Sequence, residues 1–376
     1  MVASRPLAGP ARSLAAEIGV HEVSQGTLEH RLGLARRVVA DAQRSERLHA
    51  GLVVGSTALR RCGPRADLDI VLILDGPSDH PPFESRDIEG VHVEIERLPH
   101  HDAVSLAMSD GWTWELRAAS RLGCGLPVFD PHGFATRMRN QAAAQQPDAQ
   151  CWESTLRDVY LSLCVLGNTA ALGTVHGETL RSVFDKLTLL TLLRGPRRYQ
   201  KPKWALADLI HAGHASLCEA VLNCYGIRSN SVKATAAAIG RSKALVAALY
   251  AATCVPTHAT LLAMAHAPQF AEASYVSRTL DDAEELAASG CQLQAQYVAK
   301  LAARLAAALV SSPDSSGSLL DGLQALDASL ASLYRDVFAD APVPRRWQLQ
   351  QALACADFLL AETAPASRRN AARISA

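Results

Sequence analysis

The spacing of apolar and polar residues changes period several times along this chain, and each change marks an element. Leu28, Leu32, Leu34, Ala35, Val38 and Val39 recur at helical spacing and predict a helix from Thr27 to about Arg47. Leu52, Val53 and Val54 then form a short apolar strand running into Gly55 and Ser56, after which Ala58-Leu59-Arg60-Arg61 can open a helix. Asp67 and Asp69 lead into a continuous apolar run, Ile70 to Leu74, which predicts a buried strand. Residues 76–90 contain Pro77, Pro81 and Pro82 and predict a loop. Val91 to Leu98 alternates as a half-buried strand does, with His92, Glu94 and Glu96 on its polar face. A helix over Trp112 to Leu122, a short strand and turn over Pro127 to Gly133, and a helix from Phe134 to about Ala144 follow.

Beyond that point the chain is rich in alanine and leucine, and strand signals vanish. Trp152, Leu156, Val159, Tyr160 and Leu163 share one helical face, as do Leu180, Val183, Phe184, Leu187 and Leu190 before Gly195-Pro196. Asp281 to Val310 predicts one long helical stretch, and Leu319 to Phe338 and Arg345 to Glu362 predict two more helices. The fold class expected is therefore α/β (α+β): a domain with a small mixed sheet over 26–145, then an all-α helical bundle over 146–376. Residues 1–25, with Arg5, Pro6, Pro10 and Arg12, predict a flexible arm carrying a short helix near Leu14 to Ile18.

Composition narrows the function. The 376 residues suffice for two domains, and 37 basic against 37 acidic residues leave no polycationic footprint of the kind that holds long nucleic acid. Nine scattered cysteines with no C-x-x-C pair point to reduced thiols in the cytosol and against a zinc ribbon. No run of about eighteen apolar residues predicts a membrane span. A cytoplasmic protein with no membrane partner is the expectation.

The candidate chemistry lies between Gly55 and Glu94. A small-residue turn after a buried strand aims backbone N–H groups at phosphate. Asp67 and Asp69, two apart in a strand, point to one face, and Mg²⁺ takes such carboxylates together with substrate phosphates. Glu94, between Val93 and Ile95 on the next strand, supplies a third carboxylate. His80, His100 and His101 lack the spacing of a zinc set around these carboxylates and are expected to be exposed. Asp130-Pro131 is expected to cap a turn.

Val54-Gly55-Ser56 and Asp67-Leu68-Asp69-Ile70, with residues 57–66 between them, resemble the DNA polymerase β-like nucleotidyltransferase superfamily. Over residues 26 to 145 the layout resembles the antibiotic nucleotidyltransferases of the kanamycin type. The resemblance implies that Asp67, Asp69 and Glu94 are catalytic and hold Mg²⁺, while a hydroxyl attacks the α-phosphate of a nucleoside triphosphate, ATP by expectation, and pyrophosphate leaves. Many members carry alanine-arginine after the turn and serine before the first aspartate. Here Ala58-Leu59 and Ala66 stand instead, so the arginine register is displaced, and either Arg60 or Arg61 would meet the phosphates beside Gly55 and Ser56, or neither would.

In the helical part the basic cluster Arg197 to Lys203 precedes Trp204. The resemblance implies that Lys203 reaches the triphosphate or that Trp204 packs beside substrate, with Trp204 anchored in the core as the alternative. The general base is open among Glu153, Asp158, Glu178 and Asp185. The expected acceptor is a small molecule bound between the two parts. Transfer to tRNA or protein and a silent nucleotide-binding protein are the alternatives.

Overall fold

Ser24 starts the first long helix by accepting a hydrogen bond from the Thr27 backbone N–H at 3.2 Å. This helix, α1 (Gln25–Ala42), turns Leu28, Leu34, Ala35, Val38 and Val39 inward at helical spacing. The computed structural model describes Leu14, Glu17, Ile18 and residues 23–61, 66–108, 113–168, 174–195, 201–252, 273–310, 319–341 and 346–363. Trp112 and Arg197–Gln200 lie outside them.

After α1 come β1 (Leu48–Val53), a single helical turn α2 (Gly55–Ala58), β2 (Leu68–Leu74), β3 (Phe83–Ile88) and β4 (Val91–Pro99). Two helices, α3 (His100–Met108) and α4 (Thr113–Gly123), precede β5 (Leu126–Phe129) and α5 (Phe134–Ala144). The five strands form one mixed sheet in the order β3-β4-β2-β1-β5, with β2 and β4 parallel and the other pairs antiparallel. An α/β sheet unit followed by helices is thus the observed architecture.

Strand parity decides which residues meet which helix. Leu68, Ile70, Leu72 and Leu74 of β2 and Val93 and Ile95 of β4 pack on the α1 side. Val71 and Ile73 face the other way, against Leu122 of α4 and Phe134 and Met138 of α5. Asp67 and Asp69 share parity with Val71, and Glu94 is opposite in parity to Val93 and Ile95. All three carboxylates therefore lie on the α4 side of the sheet.

Three expectations for the sheet unit are corrected. Residues 76–90 contain β3, whose Glu84-Ser85-Arg86-Asp87 run shows no apolar alternation because it is an edge strand. Glu89 (φ 54°) and Gly90 (φ 77°) make the tight hairpin turn into β4. The helix expected from Ala58 onward opens instead at Gly55 and ends at Ala58, before Arg60 at φ 58°. α1 also stops at Ala42, short of Arg47.

The remaining helices are α6 (Ala149–Gly167), α7 (Thr174–Arg194), a 3₁₀ turn (Pro202–Trp204), α8 (Ala205–His211), α9 (Ala215–Cys224) and α10 (Val232–Ala252). After these come α11 (Ala273–Ala288), α12 (Gln292–Val310), α13 (Leu319–Leu326), α14 (Ala328–Val337) and α15 (Arg346–Thr363). The stretch 281–310 is two helices, because Gly290 takes φ 84° and turns the chain between α11 and α12. The stretch 319–338 is also two, since the Asp327 carboxylate caps α14 through the Ser329 N–H at 2.7 Å.

One large apolar core joins these helices and reaches Leu116 of α4. Ile18, within the segment expected as an arm, is buried in the same core. No described helix is long and apolar enough to cross a membrane, and none of the seven described cysteines forms a disulfide.

Candidate functional site

Parallel pairing of β2 with β4 places Asp69 directly opposite Glu94. Asp67 precedes Asp69 on the same face, and all three line one cavity of about 970 Å³ with Gly55. The turn is fitted closely to this wall. Gly55 has φ 65°, and a Cβ there would stand 2.0 Å from Asp69 Oδ2, so only glycine lets the aspartate occupy its place. The Val54 N–H also donates to the Asp69 carbonyl at 2.9 Å, tying turn to strand.

Arg31, buried on α1, supports the wall from behind. Its guanidinium donates to the carbonyls of Ala66 (2.6 Å) and Asp67 (3.1 Å) and to the Thr57 hydroxyl (3.4 Å). Charged hydrogen bonds of this kind contribute roughly 1.5–3 kcal/mol each. The sequence held a signal for it, an arginine at i+3 from Leu28 inside the apolar stripe of α1.

Burial raises the Glu94 carboxyl above its ordinary value, and the charges of Asp69 and Asp67 push it further, against Lys201 and His92. His92 itself is raised, mainly by its hydrogen bond to Asp87 at 2.9 Å. Glu96 is ion-paired with Arg121 of α4, also on the cavity wall. Among the described residues, only His49, Asp75 and His100 bring three metal-capable donor atoms within 4.8 Å of one another. Asp67, Asp69 and Glu94 thus share a wall without forming a closed ligand set. Their hard oxygens still fit Mg²⁺, which keeps several waters and binds through one or two carboxylates. The accumulation of like charge on Glu94 is what a divalent cation relieves.

A pH dependence follows. Between the ordinary carboxylate value and the raised one, the folded protein holds a proton that the unfolded chain has released, so metal-free stability falls as pH rises through that window. A divalent cation bound at this wall would displace the proton. The gain in Tm on adding Mg²⁺, read by calorimetry, should therefore be larger at about pH 7 than at about pH 4.5; equal gains would contradict the assignment.

The opposite wall belongs to α11 and the 3₁₀ turn. Asp281-Asp282-Ala283-Glu284-Glu285 places two pairs of carboxylates at i,i+3 spacing. Asp281 and Glu284 face Lys243 at 3.6 and 2.7 Å, while Asp282 and Glu285 face Lys203 at 2.5 and 4.0 Å. All four line the cavity together with Lys201, Lys203 and Arg278. Burial alone would lower Lys203, but Asp282 and then Glu285 outweigh it and raise the ammonium's pKa, so it is cationic.

Several expected residues lie elsewhere. Ser56 and Arg60 are not among the residues lining the cavity. Arg61 is buried in an ion pair with Asp208 of α8 at 2.7 Å and lies 5.8 Å from the Trp204 ring, so it fastens the turn to the helical part. Trp204 packs on the helical core, as the anchoring alternative had it.

None of Glu153, Asp158, Glu178 and Asp185 lines the cavity. Asp158 pairs with Lys186 at 3.2 Å. Glu178 and Asp185 are both held by Arg304 at 2.5 Å inside the helical core. Burial would raise Glu178, yet Arg304 and Arg181 hold it low, whereas burial pushes Asp185 up to about 6. Asp130 caps α5, accepting from the N–H groups of Phe134 (2.6 Å) and Ala135 (3.1 Å).

Comparison with protein-family models and with curated proteins finds no match. Among solved structures the chain is similar to a nucleotidyltransferase-like protein from Exiguobacterium sibiricum 255-15. The identity is 11% and the TM-score 0.28, over 49% of this chain and 71% of that one. A likeness at this score fixes neither activity nor substrate.

Proposed function

We propose that this chain is a Mg²⁺-dependent nucleotidyltransferase that moves a nucleoside monophosphate, AMP from ATP, onto a hydroxyl of a small-molecule acceptor. The observation that carries the reading is the register of Asp69 against Glu94, with Asp67 beside them on the wall of the cavity. Residues 26–145 are read as the catalytic part and 146–376 as the acceptor-binding part, in the layout of the kanamycin-type enzymes.

Asp67, Asp69 and Glu94 would hold the metal, which when bound neutralises phosphate charge and lowers the cost of in-line displacement. Lys203 and Lys201, which line the same cavity, would bind the triphosphate. The acceptor oxygen forms a bond to the α-phosphorus while the bond to the β-phosphate oxygen breaks, and pyrophosphate leaves. The proton of the attacking hydroxyl passes to a cavity carboxylate, for which the α11 row, Asp281, Asp282, Glu284 and Glu285, provides candidates. A balanced net charge favours a small acceptor over tRNA, and free thiols suit the cytoplasm.

The test is incubation of the full chain with each α-labelled nucleoside triphosphate and Mg²⁺ against small-molecule, tRNA and protein pools. Labelled small-molecule product with stoichiometric pyrophosphate is expected. Release of neither product nor pyrophosphate from any combination would end the proposal.

Lys203 offers a separate check. Lys203→Ala should weaken triphosphate binding about 10-fold or more, since a charged hydrogen bond contributes roughly 1.5–3 kcal/mol. An unchanged KM for the triphosphate would remove Lys203 from the site.

A further inference from the structure

At the other end of the sheet the strands gather a second polar cluster that takes no part in the chemistry proposed above. β1 begins where β2 ends, with Leu48 opposite Leu74, and the parallel neighbour β4 ends level with them, Leu74 opposite Pro99. His49, Asp75 and His100 therefore meet at one end of the strands. Asp75 is six positions along from Asp69, which at about 3.3 Å per residue sets the two clusters about 20 Å apart.

His49 Nδ1 lies 2.9 Å from Asp75 Oδ1, and the His49 and His100 rings are 4.1 Å apart between centroids. One donor atom from each of the three residues lies within 4.8 Å of the others. The cluster is half sheltered: the His49 side chain is 13% exposed and Asp75 37%. Phe134 closes one side, its ring 5.6 Å from His49 and 5.7 Å from His100. Asp75 opens the other side to water, and exposed His132 stands 5.3 Å from His49. This places His100 in the cluster and corrects the expectation that it is simply exposed.

We propose that His49, Asp75 and His100 form a binding site for a divalent cation of the zinc class, with water in the remaining position. Two imidazoles and one carboxylate match the donor preference of such ions and differ from the all-oxygen wall around Asp69. Tetrahedral coordination at about 2.0–2.1 Å puts ligand atoms about 3.3 Å apart, so small side-chain rotations suffice to close the set. The ion takes the position between His49 Nδ1 and Asp75 that their hydrogen bond now spans. The His49 proton then sits on Nε2, and Arg137, 3.4 Å from that nitrogen and exposed, turns to water. Bound there, the cation ties the start of β1 to the ends of β2 and β4.

Zn²⁺ alone, titrated calorimetrically into the full chain, tests the site, with Co²⁺ absorption reporting the donor atoms. The expected result is a site with nitrogen and oxygen donors that persists at the same affinity in Asp67→Asn with Asp69→Asn, where the carboxylate wall no longer competes for the ion. It should weaken about 100-fold or more in His49→Ala with His100→Ala, since even supporting residues around a metal site contribute 10–100-fold. Asp75→Asn, conservative and partly exposed, should weaken it at least about 10-fold and decides the matter if the double variant fails to fold by circular dichroism. Unchanged affinity in these variants, loss of the site with the Asp67 and Asp69 pair, or a thiolate charge-transfer spectrum would each overturn the proposal.

Discussion

Asp67→Asn combined with Asp69→Asn should lower nucleotidyl transfer at least about 10³-fold, while the folded protein keeps or gains stability. The loss follows from what the two carboxylates would do. They would hold the cation whose charge offsets phosphate, and removing one preorganised electrostatic partner from a reacting centre typically costs about 10²–10³-fold. The stability follows from the same charges acting without a cation. Glu94 stands directly across from Asp69 and is pushed toward its protonated form by burial and by both aspartates. Neutral asparagines relieve that repulsion. Activity measured by label transfer and Tm by calorimetry should therefore move independently. Full activity in the double variant would remove the metal assignment, whereas a collapse of Tm would assign the aspartates to the fold.

Gly55→Ala should act on the same wall from the turn side, costing about 1–2 kcal/mol of stability for a left-handed backbone alone. The added methyl would meet Asp69 Oδ2 at 2.0 Å, so the carboxylate must move. A displacement of about 1 Å in a positioned catalytic group can cost about 10²-fold in rate. Transfer activity should fall by about that much, and Mg²⁺ should raise Tm less than in the parent. A variant with parental kcat and parental response to Mg²⁺ would show that Asp69 need not lie against the turn.

Much of this wall was legible because its signals are local. Gly55 and Ser56 sit between an apolar strand and a polar segment, and alternation over 91–98 put Glu94 on the polar face. The parity that points Asp67 and Asp69 the same way is a property of any strand. Strand β3 was not legible, since a charged edge strand carries no burial pattern. The division of 281–310 into two helices turned on Gly290 alone, and a glycine within a helical pattern is more often tolerated than obeyed.

Pairings across the fold were hidden for a different reason. Arg61 was expected at the phosphates and lies instead against Asp208, and Lys203 meets Asp282 on a helix far along the chain. Glu178 and Asp185 looked like available bases, yet Arg304 holds both in the helical core. Each depends on two segments whose separation in sequence says nothing of their separation in space.

By itself the sequence determined a strand-and-helix unit followed by helices, and the three carboxylates that one face of the sheet could present. Backbone geometry and burial act over a few residues, so periodicity records them. Only the tertiary structure decided that Asp69 faces Glu94, that α11 closes the cavity with Lys203, and that His49, Asp75 and His100 meet at the far end of the strands. Strand order and helix docking set those distances, and both come from packing of the whole chain.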